Sequence, residues 1–178
     1  MNGFSIALLL ALGITTTGAQ LLKKDLYAAI NTTGRVWTVQ RTFVRSSEKG
    51  EHTCVYAWQV SLEGDKYQFE QHYMEGGKRI MEPLHGRLSD GDSGPVLTVS
   101  KEEGGVGIPY TLYYWDNDRK CGILKFPDQK TKKIECELHV WEDYLLKSPS
   151  TPCDHDYDSI CGPSKHAVYH SGCLTDAK

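Results

Sequence analysis

The chain has 178 residues, 39% of them hydrophobic, and a formal net charge of -3 from 20 basic and 23 acidic side chains. A mildly acidic chain without a basic stripe carries no nucleic-acid footprint. Its length suits one domain with a sizeable core rather than two.

Residues 1–19 hold no charge; the apolar run Ile6 to Ile14 passes into Thr15-Thr16-Thr17-Gly18-Ala19. That is a secretory signal-peptide pattern, and the run is too short to cross a bilayer. The expectation is a signal peptide over 1–19, a single domain over 20–178, and a secreted protein without a membrane span. All six cysteines lie downstream of the leader. In an oxidising compartment they predict three disulfides, with connectivity left open by their count. Asn31-Thr32-Thr33 is a glycosylation acceptor, which predicts that Asn31 lies on the surface.

Leu21 to Ile30 reads as a short amphipathic helix. Period-two runs follow: Val36–Val44, Thr53–Leu62, Lys66–Glu75, Arg79–Leu88, Pro95–Lys101, Ile108–Trp115, Cys121–Phe126 and Lys132–Trp141. Gly-, Asp- and Asn-rich links separate them, as hairpins require. The fold class is therefore all-β. Eight antiparallel strands joined by short links close most simply into an up-and-down barrel whose interior holds one small ligand. The fold alternative is a two-sheet sandwich. From Pro149 the alternation stops, and Asp154 to Cys161 forms a C-terminal helix or tail packed outside.

Side chains alternate along a strand. On that basis Tyr56, Trp58, Val60 and Leu62 point inward, as do Tyr67, Phe69 and Tyr73, and Tyr110, Leu112 and Tyr114. Leu124 and Phe126 share the inner face of their strand, and Glu137, His139 and Trp141 that of the last one. Buried tyrosine hydroxyls need partners, which a ligand-holding cavity supplies and a dry core does not.

Ordered landmarks run through the chain: Val36-Trp37, Thr53-Cys54-Val55, Cys121-Gly122-Ile123, Glu137-Leu138-His139, Cys153 and Ser171-Gly172-Cys173-Leu174. On these the sequence resembles the tick salivary lipocalins of the histamine-binding family, over nearly its whole mature length. The broader Gly-X-Trp signature of lipocalins is broken, because Gly34 stands three residues before Trp37. The resemblance implies the eight-stranded barrel, a Cys54 to Cys173 bridge and a Cys121 to Cys153 bridge, which leaves Cys136 with Cys161. It also implies a non-enzymatic monomer without cofactor or metal.

The family's amine binders use buried carboxylates for the ammonium group. Of these only Glu137 has a counterpart here: Gly122 replaces an Asp, His139 replaces an aromatic, and Arg45-Ser46-Ser47-Glu48 offers no match to the Asp and Trp of the first loop. Gly122 is expected to leave a larger, less polar cavity. The ligand implied is a small hydrophobic or amphipathic molecule, a sterol such as cholesterol or a fatty-acid derivative. The resemblance is to the branch of japanins, modulators of host dendritic cells, so a host immune-cell receptor or protein is a second implied partner. The alternatives are a scavenger of histamine or serotonin, and a protein-interaction module with a packed barrel.

Two motifs are set aside. Gly91-Asp92-Ser93-Gly94-Pro95 resembles a serine-protease segment, but it lacks the upstream His motif and a second barrel. His155, His166 and His170, with Asp154, Asp156 and Asp158, match no metal-ligand spacing.

Overall fold

In a computed structural model, residues 20–148 and 150–175 are described; the leader lies outside them. After the helix α1 (Lys23–Ile30) come β1 (Arg35–Arg41), β2 (Thr53–Glu63), β3 (Lys66–Glu75), β4 (Lys78–Ser89), β5 (Val96–Ser100), β6 (Ile108–Asp116), β7 (Cys121–Pro127) and β8 (Ile134–Trp141). Each pairs antiparallel with the next, and β8 returns to β1, which closes an eight-stranded barrel. Closure leaves no long edge exposed.

β1 ends three residues before the predicted Val44. Residues 42–52 leave the sheet to cross one mouth of the barrel, with the short ladder Ser46–Ser47 to Gly50–Glu51 within them. Phe43 packs edge-on against Phe126 at 5.5 Å, and His52 stacks on Tyr73 at 4.3 Å. These contacts strap the segment down. At the opposite end α1 seals the barrel. Asp25 accepts from the Leu22 N–H at 2.8 Å to start the helix, and Leu26 and Ala29 are its buried face. Trp141 Nε1 donates to the Ala29 carbonyl at 2.8 Å, tying helix to barrel wall.

A further helix, α2 (Glu142–Lys147), continues from β8, and α3 (Asp154–Cys161) packs outside β8. Trp37, Ile123, Leu138, Val140 and Tyr157 form the buried layer between barrel and tail. Disulfides join Cys54 to Cys173, Cys121 to Cys153 and Cys136 to Cys161, with Cα separations of 5.2, 6.3 and 5.9 Å. All three fasten the tail to the barrel wall. His166–Ala167 adds a short strand beside β1.

Simple alternation fails at four register shifts. One residue is extra at Val39 in β1, between Thr53 and Tyr56 and again at Val60 in β2, and at Tyr113 in β6. A bulge of this kind turns the following side chains to the other face. In β2 the inward set is Val55, Ala57 and, past the bulge, Leu62; Trp58 and Val60 are 43% and 59% exposed on the outside. In β6 Tyr110 and Leu112 face in, but Tyr114 turns out to Arg119 (2.6 Å) and Trp115 takes the inner place. In β1 the shift sends Gln40 out to Asp154 (2.9 Å) and brings Arg41 in as the cross-strand partner of Glu137.

Candidate functional site

Inside the barrel lies a cavity of about 100 Å³. Its apolar wall comes from Ile30, Val36, Val55, Ala57, Tyr67, Phe69, Leu97, Val99 and Leu124. Tyr67 and Phe69 stack with ring centroids 4.7 Å apart. Gly86 makes room for them: a Cβ there would come within 2.8 Å of Leu97 Cδ1 and 3.2 Å of Tyr67 Cδ1. Burial pushes the Tyr67 hydroxyl far above its ordinary range, so it stays a neutral part of the wall.

Polar groups interrupt this wall, and Arg45 enters it from the strap. Glu137, His139, Thr38, Gln71, Tyr110 and Arg45 complete the lining. His139 Nε2 donates to Glu137 Oε2 at 3.1 Å. Burial alone would raise the Glu137 carboxyl, but the His139 hydrogen bond and the charges of Arg45 and Arg41 outweigh it and hold the group below its usual value. It is therefore a carboxylate. Burial lowers the Arg41 guanidinium below its ordinary range, opposed by Glu137, while for Arg45 the pull of Glu137 and Tyr110 exceeds the cost of burial. The Tyr110 hydroxyl is pushed up to about 12, by burial first and then by Glu137, with the nearby Arg45 opposing the rise.

A second cavity of about 40 Å³ lies at the helix end, lined by Leu26, Ala29, Leu112, Trp115, Gly122 and Trp141, and it shares Ile30, Val36, Leu124 and His139 with the first. Gly122 does not open the spacious pocket expected of it. A Cβ there would already touch Leu112 Cδ1 and Trp115 Cε3 at 3.4 Å, because the inward turn of Trp115 has taken up the room.

The structure thus brings Tyr67, Phe69, Tyr110, Leu124, Glu137 and His139 together at the larger cavity, and Leu112 and Trp141 at the smaller. Phe126 packs on Tyr110 at 4.5 Å beneath the strap. Two candidates are corrected, and a third lines the cavity with its ring turned away. Trp58 and Tyr114 lie outside the barrel. Tyr56 borders the cavity between Val55 and Ala57, but its ring joins Trp37 at 4.8 Å and His72 at 4.7 Å on the outer face. Sequence reasoning missed Arg41, Arg45 and Trp115, all placed by bulges or by the strap.

Outside the barrel, Asn31 is exposed just past α1. Asp154 and Asp158 pair with Lys165 at 2.8 and 2.7 Å, and Asp156 with Arg119 at 3.0 Å. His170 lies 3.5 Å from the Cys54 sulfur, which is held in a disulfide.

No protein-family profile matches the sequence, and no characterised protein matches it at significant similarity. Solved structures do match the fold. Japanin from Rhipicephalus appendiculatus, bound to cholesterol, aligns with 77% of this chain and 92% of its own, with a TM-score of 0.51 and 19% identity. The AM182 serotonin complex covers 83% and 91%, with a TM-score of 0.60 and 19% identity. The major allergen Per a 4 from cockroaches covers 89% and 96%, with a TM-score of 0.59 and 13% identity. Identities this low speak to architecture alone. With its closed eight-stranded barrel, N-terminal helix and disulfide-fastened tail, the chain has the lipocalin fold.

Proposed function

We propose that the chain is a secreted lipocalin of the tick salivary kind that binds one small hydrophobic or amphipathic molecule in its barrel and modulates host immune and inflammatory defence. It acts by binding, without catalysis, as a monomer. One observation carries the ligand class: the cavity wall is apolar, and the buried carboxylate Glu137 is already balanced by Arg41, Arg45 and His139. An incoming ammonium group would have to displace those partners and sit beside two guanidiniums. Amine scavenging is therefore the weaker reading. The cholesterol in japanin and the serotonin in AM182 are two ligand classes held by this architecture; the charge balance favours the former kind here.

The cavity of about 100 Å³ is smaller than an engineered cavity of roughly 150 Å³ that takes up benzene. A larger ligand must move lining side chains or the strap over residues 42–52. Immune modulation rests on the sequence resemblance, and a change in cytokine output from dendritic cells exposed to the protein is its expected signature.

Binding is tested by titrating the delipidated protein with cholesterol, 1-dodecanol and histamine. Stoichiometric uptake of either apolar compound, blocked by filling the cavity with Ala57→Phe or Leu97→Phe, is the expected result. Uptake of histamine alone would refute the reading.

A further inference from the structure

The outer wall of β2, β3 and β4 carries an apolar patch that the fold leaves uncovered. The registers set Trp58 opposite Glu70 and Glu70 opposite Pro83, and Tyr56, His72 and Met81 form the neighbouring row. Trp58, Val60 and Met81 are 43%, 59% and 50% exposed, and Pro83 is exposed with them. Single exposed apolar side chains need no explanation, but several gathered on one face mark a contact surface. The outward row of β4 reads Arg79, Met81, Pro83, His85 and Arg87, an apolar centre with an arginine at each end and no carboxylate. Arg79 lies over the Tyr56 ring at 5.4 Å, and Arg87 is exposed. The carboxylate within the patch, Glu70, accepts from His72 Nε2 at 2.9 Å. Glu63 and Glu103 lie toward the α1 end, where Glu63 stands opposite Lys66 and Glu103 pairs with it at 2.7 Å.

The patch adjoins a break in the strand ladder. β5 ends at Ser100 opposite His85, so Lys78 to Leu84 pair with β3 and have no strand among the described residues on their other side. Val99, beside that break, lines the cavity. We infer that this face docks on a lipid surface bearing anionic head groups, and that the apolar ligand passes between bilayer and barrel at the break. Trp58 and Met81 enter the interface, where an indole keeps its apolar ring in lipid and its N–H near water. The arginines at the ends of the β4 row face the head groups, an attraction that acts within a Debye length of the surface. Pro83 has no N–H to offer at the open edge, which discourages a further strand from pairing there and favours lipid over an added chain. Transfer by contact also spares an apolar ligand its passage through water, the unfavourable step for such a molecule.

The inference rests on the reading that the barrel holds an apolar ligand, and the test separates the two. The delipidated full-length secreted protein is floated with phosphatidylcholine vesicles, with and without phosphatidylserine, that carry cholesterol or 1-dodecanol. Binding to the phosphatidylserine vesicles, weakened by added salt, is the expected result. Trp58→Ser combined with Met81→Ser should weaken it about tenfold or more, and Arg87→Gln about fivefold. In both variants the transfer of ligand from vesicle to protein should slow, while ligand delivered from solvent binds as it does to the unaltered protein. No flotation with phosphatidylserine vesicles, or binding unchanged in the Trp58→Ser, Met81→Ser variant, overturns the docking face and leaves the apolar pocket standing. So does a dimer of the unaltered protein, seen by sedimentation, that the same variant dissolves, because the patch would then belong to a second copy. Failure of both ligands to enter from either source overturns the pocket and the transfer step together.

Discussion

Glu137 is where the chemistry of the barrel is decided, because a carboxylate this buried survives only with partners. His139 supplies a hydrogen bond and Arg45 and Arg41 supply charge, so the group stays ionised in the folded protein. Removing one member of a buried ion cluster leaves the others uncompensated, which typically costs about 3–5 kcal/mol. Glu137→Gln should therefore lower the unfolding free energy by that order in denaturant melts. The same cluster fixes a pH dependence. The folded carboxyl titrates below its ordinary value of 4.5, so its stabilisation is fully present above that value and is lost as pH falls through the lowered one. Thermal melts of the native protein should lose stability in that acidic window, and Glu137→Gln should flatten the loss; parallel pH profiles would contradict this. The sequence showed Glu137 and His139 on one face, since nothing interrupts the alternation of β8. It hid Arg41 and Arg45, the residues that decide what Glu137 is for.

Bulges are what separate the legible elements from the rest. The strand runs, α1 and the tail helix Asp154–Cys161 follow periodicity and turn residues, and the structure places them with small differences at their ends. A single extra residue is invisible to such a pattern, yet it reverses every side chain beyond it. Tyr114 is misassigned and Trp115 overlooked for this reason, whereas Trp58 precedes the Val60 bulge and is misassigned because side-chain bulk picks the wrong face of β2. Two substitutions expose the register. Trp58→Ser, on the outer wall, should cost under about 1 kcal/mol, the range of a cross-strand pair. Trp115→Ala, which empties the contact with Trp141 at 6.1 Å and with Gly122, should cost about 3 kcal/mol. Similar losses for both, measured by chemical denaturation, would mean that the bulge at Tyr113 is misplaced. The strap over residues 42–52 was read as strand up to Val44, because Phe43 and Val44 continue the alternation. Its departure is enforced by the contacts Phe43 and His52 find across the mouth.

Across the molecule, a barrel with a cavity gives up part of the apolar packing that a solid core would have, and the tail compensates from outside. Three disulfides fasten that tail, and the Cys54 to Cys173 bridge closes a sequence separation of 119. Chain-entropy arguments give such a long loop roughly 4–5 kcal/mol. Replacing both cysteines with serine should lower the melting temperature sharply while the barrel spectrum persists at low temperature; an unchanged melt would remove the tail from the stability account. The fold could be read from the sequence because hairpin links and landmark cysteines are local signals. The cargo could not, because it depends on which charges meet across the interior. The most direct test of the account is native mass spectrometry of the protein secreted from eukaryotic cells, followed by solvent extraction. A single apolar or acidic lipid retained per chain is the predicted result. A chain that emerges empty, takes up no lipid and binds histamine instead would contradict it.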